Sequence, residues 1–202
     1  MSRLAASLPA DLPAAVLVVL HTAPHSPALL AEILTGRGPL PAVTAQDGMP
    51  LEHGVMIVAP PDRHLIVTGR GVRLSFGARE NRSRPSIDPL FRTAAVCYGA
   101  RVVGVILTGM LDDGAAGLLA VHRCGGCSIV QSPQDAAFPE MPQSALRAVP
   151  EAAEVNINEL GTTLSQLSRE TAPRSPPVPD LLRMEFDLTL RALQSGMRRR
   201  MP

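Results

Sequence analysis

The sequence is poor in aromatic residues: no Trp, one Tyr and four Phe in 202 residues. A nucleic-acid surface built on base stacking is therefore not expected. The core must be aliphatic, made of Leu, Val, Ile, Ala and Met. Net charge is nearly absent, with 19 basic residues against 18 acidic ones. No global field recruits nucleic acid or acidic lipid. Cysteine is scarce as well. Three is an odd number and too few for a disulfide framework, which fits a reducing compartment. Long hydrophobic runs are missing: the longest, 14–20, is far too short to insert in a bilayer. The first residues, "MSRLAASLPADLP", lack the apolar stretch of a signal peptide. These absences predict a cytoplasmic protein of one domain, or one domain plus a tail.

What is present is an alternation of apolar strands and helices. "AAVLVVL" (14–20) and "RVVGVILTG" (101–109) are continuous runs of the kind buried on both faces of a parallel sheet. "GVMIVAP" (54–60), "HLIVTG" (64–69), "VRLSF" (72–76) and "SIVQS" (128–132) are shorter strands, the middle two joined by a hairpin turn at "TGRG". Helices are predicted over 26–34, with Ser26 as N-cap and Pro27 first, and over 86–99, 113–126, 141–149 and 157–170. The fold class read from this order is α/β: a doubly wound, mostly parallel sheet with an antiparallel hairpin at one edge. The domain ends near 170. A Pro-rich linker (171–179) and an amphipathic helix (180–202) with a basic end follow, the helix either docking on the domain or binding a partner.

In an open α/β sheet, ligands bind beyond the carboxyl ends of the strands. His21 follows the first strong strand, and Asp112 and Asp113 follow the second. A His and an Asp at one edge suggest the base-and-orienter half of a nucleophilic triad. The plainer readings stand beside it. A carboxylate before "GAAGLL" caps the following helix, and a His after a strand is an ordinary turn residue.

The segments "LTGMLDDGAAGL", "VAPPDRHL", "RPSIDPLFRTAA", "QDAAFPEMP" and "VVLHTAPHSPALLAEIL" occur in one order from about residue 8 to 169. Together they resemble the methylesterase domain of the CheB-type chemotaxis protein-glutamate methylesterases. The resemblance implies a doubly wound α/β fold. It also implies hydrolysis of glutamate methyl esters on chemoreceptors, often with deamidation of glutamines, by a Ser-His-Asp triad without metal or cofactor. By position the family's histidine falls on His21 rather than His25, and its aspartate on Asp113 rather than Asp112. The family's glycine after the Met is Leu111 here, a departure expected to change the local turn.

The resemblance also implies a serine in a Gly-rich turn after a strand that precedes the "MSRLAASLPADL" helix. The chain carries no such turn, so the domain reads as incomplete at its N-terminus. Ser2, Ser7, Ser26, Ser83 and Ser86 lack the strand and glycines of a nucleophile elbow, although Ser83 and Ser86 lie in "NRSRPSID", a loop that could contribute to the site. Two readings follow: a methylesterase whose serine lies outside this sequence, or a degenerate, non-catalytic domain that binds receptors or signalling partners. "CGGC" (124–127) has a C-x-x-C spacing but sits at a helix end, where no helix N-terminus lowers a thiol pKa. A glycine stop is the expected role.

Overall fold

The computed structural model describes residues 1–198, with side chains placed through Leu193. Fifteen regular elements follow one another. They are α1 (Ser2–Ser7), β1 (Val16–Val18), α2 (Leu30–Thr35), β2 (Ala42–Thr44), β3 (Met56–Val58), β4 (His64–Thr68), β5 (Gly71–Ser75) and α3 (Ile87–Tyr98). Then come β6 (Val103–Ile106), α4 (Ala115–Arg123), β7 (Cys127–Gln131), α5 (Glu140–Ala148), β8 (Ala153–Val155), α6 (Ile157–Arg169) and α7 (Asp180–Arg198).

The expected architecture is present: mixed α/β, parallel ladders and one antiparallel hairpin. β3 pairs in parallel with β1 on one side and β2 on the other, with Met56 opposite Val16 and Ala42. β7 lies in parallel between β6 and β8, with Ile129 opposite Val105 and Ala153. β1 and β6 each pair on one side only among the described residues, yet Val16, Val103 and Val105 pack against one shared apolar cluster.

The alternation along each strand explains the two-sided winding. Val16, Val18, Met56, Val58 and Ile129 face one cluster with Leu4, Leu8, Leu34 and Leu160 of α1, α2 and α6. The intervening Leu17, Val19 and Ile57 face the other side, with Leu90 and Ala94 of α3. There Ile106 and Val130 meet Leu118 of α4 and Ala145 of α5. Period-two side chains in strands buried on both faces require this arrangement. The hairpin β4–β5 forms its own two-stranded ladder and lies on α3, where the Val67 amide donates to Thr93 Oγ1 at 3.0 Å.

Several local expectations are corrected. The second helix begins at Leu30, not at Ser26. Its N-cap is Leu29, and the Ser26 amide closes a turn onto the Ala23 carbonyl. The first strand keeps only Val16–Val18 of the run 14–20, and α1 covers Ser2–Ser7 rather than the whole of 1–12. β2 and β8, three residues each, were not foreseen. After α6 the residues 170–179 carry no regular structure, and α7 then lies on α3, with Val178 and Leu182 against the cluster of Ala95, Ala120, Val121 and Cys124. The basic run at 197–202 lies outside the residues whose side chains are described.

Candidate active site

β1 and β6 each lead, at their carboxyl ends, towards one of the two candidate residues. His21 follows β1 by three residues and Asp113 follows β6 by seven. Ninety-two positions apart in sequence, their side chains meet: His21 Nε2 donates to Asp113 Oδ2 at 2.5 Å. The imidazole is 35% exposed and the carboxylate 2%. With Nε2–H committed to the carboxylate, Nδ1 carries the free lone pair of the neutral ring. Asp112 and His25 do not join them. Both are exposed, and the Asp112 carbonyl accepts the Ala115 amide at the start of α4.

Asp113 is also a cap, but not of the helix that follows it. α4 begins at Gly114 with no side-chain cap. The Asp113 carboxylate instead accepts the first two amides of α3, Ile87 N–H at 2.7 Å and Asp88 N–H at 3.2 Å. In return Asp88 Oδ1 accepts the Gly117 amide in the first turn of α4 at 2.7 Å. α3 is thus closed by the acid that precedes α4, and the first turn of α4 by an acid of α3. Each N-terminus offers free N–H groups and a positive dipole end, so both acids are favoured in ionised form there. Gly114 makes the approach possible: its φ is +89°, and a Cβ would lie 2.4 Å from Ile106 Cδ1 and 2.9 Å from Ile87 Cγ2.

Two further donors complete the carboxylate's shell. Ser86 Oγ donates to Oδ1 at 2.7 Å, and Asn81 Nδ2 donates to the same oxygen at 2.8 Å. Asn81 Nδ2 also donates to Asp88 Oδ2 at 2.8 Å, so one amide bridges the two acids. His64 holds Ser86 from behind: its Nδ1 accepts the Ser86 amide at 3.3 Å while Nε2 donates to the Ala78 carbonyl at 2.8 Å. Burial alone would raise the Asp113 pKa, but the bonds from His21, Ile87, Ser86 and Asn81 outweigh it and hold the carboxyl at about 2. Burial dominates at Asp88, whose pKa is raised, and at His64, whose pKa is lowered. Asp113 is therefore held as an anion.

The serines weighed as nucleophiles are placed elsewhere. Ser86 is fully buried and spends its hydroxyl on Asp113. Ser83 Oγ donates to the Pro85 carbonyl, and Ser7 Oγ to the Leu4 carbonyl. Ser2 lies on α1 and Ser26 in a turn before α2. The loop "NRSRPSID" does border the site through Ser86, while Asn81, Asp88 and His64 were not singled out individually. The available signal was the polar cluster "NRSRPSID" directly before a helix, where a capping partner from elsewhere in the chain is to be expected.

The segment between β6 and Asp113 is locked to the start of α5. Gly109 N–H donates to the Phe138 carbonyl and Met141 N–H to the Gly109 carbonyl, each at 3.0 Å. The Leu111 amide donates to Glu140 Oε2 at 2.9 Å. Leu111 has φ +67°, the left-handed conformation in which glycine is unstrained, so the backbone keeps a glycine-type turn where a changed one was expected. At "CGGC", Cys124 is buried and Gly125 ends α4 with φ +83°. Burial raises the pKa of all three cysteines, Cys97 to about 11. None is poised as a thiolate. Among the described residues no cluster of His, Cys, Asp and Glu is arranged to hold a metal ion.

Comparison with known proteins places the fold in a family. The family model described as CheB methylesterase matches residues 1–164. A protein-glutamate methylesterase/protein-glutamine glutaminase of Anaeromyxobacter dehalogenans is 46% identical over 150 residues, covering 73% of this chain and 44% of that protein. One from Methanosarcina acetivorans is 35% identical over 178 residues, covering 84% of this chain and 48% of that protein. The chain thus spans less than half the length of these curated relatives. The crystal structure of the Thermotoga maritima CheB methylesterase catalytic domain superposes with a TM-score of 0.78 at 28% identity, covering 82% of this chain and 91% of that one. The chain belongs to the CheB methylesterase family.

Proposed function

We propose that this chain carries the acid–base half of a protein-glutamate methylesterase, which hydrolyses glutamate methyl esters, and by the same chemistry glutamine amides, on cytoplasmic chemoreceptors. The observation that carries the reading is the His21–Asp113 bond at the strand edge, made by a carboxylate held as an anion. His21 Nδ1 takes the proton of a serine hydroxyl as that oxygen attacks the ester carbonyl. Asp113 keeps the ring in the Nε2–H form and stabilises the imidazolium. Backbone N–H donors take the developing oxyanion. The proton returns to the leaving methoxide, methanol departs, and water repeats the cycle on the acyl-enzyme to give the free glutamate. The serine is not among the hydroxyls described above. No helix among the described residues is long and apolar enough to cross a membrane, which accords with action on the cytoplasmic part of a receptor.

The test is a chimera in which residues 8–169 replace the matching segment of a relative such as the Anaeromyxobacter enzyme, which then supplies the nucleophile. Methanol release from methylated receptor is expected. Asp113→Asn in the chimera lowers the rate by about 10⁴, the loss seen when a triad acid no longer fixes the tautomer. A chimera that melts cooperatively and binds receptor but releases no methanol supports the non-catalytic alternative instead.

A further inference from the structure

α7 is apolar on two sides. Leu182, Phe186, Leu190 and Leu193 lie on the side turned to the domain and are partly buried there, where Leu182 meets the α3–α4 cluster and Arg92 approaches Glu185 at 3.7 Å. On the opposite side Leu181, Met184 and Leu188 are 62%, 56% and 56% exposed. Their spacing of three and four residues forms a second stripe along about two turns. A surface helix of a globular protein carries one such stripe, and a helix apolar on more than one side is covered on more than one side. Asp180, Arg183, Asp187 and Arg191 flank this second stripe, two acids and two bases.

We propose that this stripe pairs with the same stripe of a second copy of the chain, the two α7 helices lying antiparallel. The charge order selects the occupant. In antiparallel register Asp180 faces Arg191 of the second copy, Arg183 faces its Asp187, Leu181 faces its Leu188, and the two Met184 side chains meet near the axis. A parallel pair would set this charged flank against the opposite flank of the second copy, that of Glu185 and Thr189, where no alternation of charge answers it. A partner of one charge sign would leave half of the flanking charges opposed. A two-fold contact must be self-complementary, and this one is. Two short helices make a small interface, at the low end of specific contacts. The dimer is therefore reversible and fills as protein concentration rises.

Sedimentation velocity over a concentration series tests the pairing. The wild-type chain shifts from monomer to dimer with increasing concentration. Asp187→Arg and Arg183→Glu each remove that shift, and an equimolar mixture of the two variants restores it, because the reversed charges then face each other. Both side chains are exposed, so far-UV circular dichroism and melting temperature stay at wild-type values and show that α7 is intact. A wild-type chain that sediments as a monomer at every concentration overturns the proposal. So do single variants that associate as the wild type does, or a mixture that fails to recover.

Discussion

At the scale of single residues, the site turns on how one carboxylate is held. Asp113 keeps its charge although nearly enclosed, because five donors from three stretches of chain converge on it. Its pKa of about 2 lies below the ordinary 3.8, so the stability it contributes is complete above pH 4 and is lost as pH falls towards 2. The difference corresponds to about 2 kcal/mol. Asp88, with a raised pKa, acts in the opposite sense and on the other side of 3.8: its contribution is present below that pH and is lost as pH rises above it. Urea unfolding at pH 5 and pH 2.5 should therefore be compared between the wild type and Asp113→Asn. The wild type is expected to lose about 2 kcal/mol more than the variant, and equal losses would remove the claim. Asn81 separates the two acids. In Asn81→Ala the bridging donor is gone, so both carboxyl pKa values rise, as carboxylate ¹³C titration would record, and stability falls by about 1–3 kcal/mol. Unchanged titrations would show that Asn81 is incidental.

At the scale of elements, the junction of α3 and α4 is the fixed point. α3 is closed by the acid that precedes α4, the first turn of α4 by an acid of α3, and Gly114 lets the two helices approach. Gly114→Ala must move Ile106 or Ile87 and also strain a positive φ, for a cost of roughly 2–4 kcal/mol measurable in the denaturation midpoint. Leu111 is the opposite case. It carries left-handed strain of about 1–2 kcal/mol, while glycine there adds back about 0.5–1 kcal/mol of unfolded-chain entropy. Leu111→Gly is expected to raise the melting temperature by about 2 °C, and a lower melting temperature would contradict that reading. This scale also shows what the sequence made legible. β3 to β7 and α3 to α6 announced themselves through short apolar runs or through helical starts and stops. "AVT" and "AEV" did not, because three residues define no period and only pairing with β3 and β7 makes them strands. Ser26-Pro27 resembled a helix start, yet that stretch forms a turn and the helix waits until Leu30. His21 and Asp113 could be read from their places after strands and from the motifs around them. For Ser86 only its loop could be read as bordering the site. The bonds of Asn81, Ser86 and Asp88 to Asp113 could not, because they span 25 to 32 residues and exist only once α3 and α4 abut.

At the scale of the whole molecule, the parallel sheet sets the chemistry. Two strands, each leading at its carboxyl end to one of the pair, bring an imidazole and a carboxylate together across 92 residues, and helices on both faces hold those strands in place. The aliphatic core foreseen from the lack of aromatics is what fills both faces. The same architecture leaves the His21 side chain about a third exposed while its Asp113 partner is enclosed. The account therefore stands on one protonation state, and ¹⁵N–¹H NMR of the His21 ring reads it directly in the chain as it is. At neutral pH the neutral ring should carry its proton on Nε2, with a strongly downfield resonance from the bond to Asp113 that disappears in Asp113→Asn. A ring protonated on Nδ1, or a spectrum indifferent to Asp113→Asn, would contradict the account.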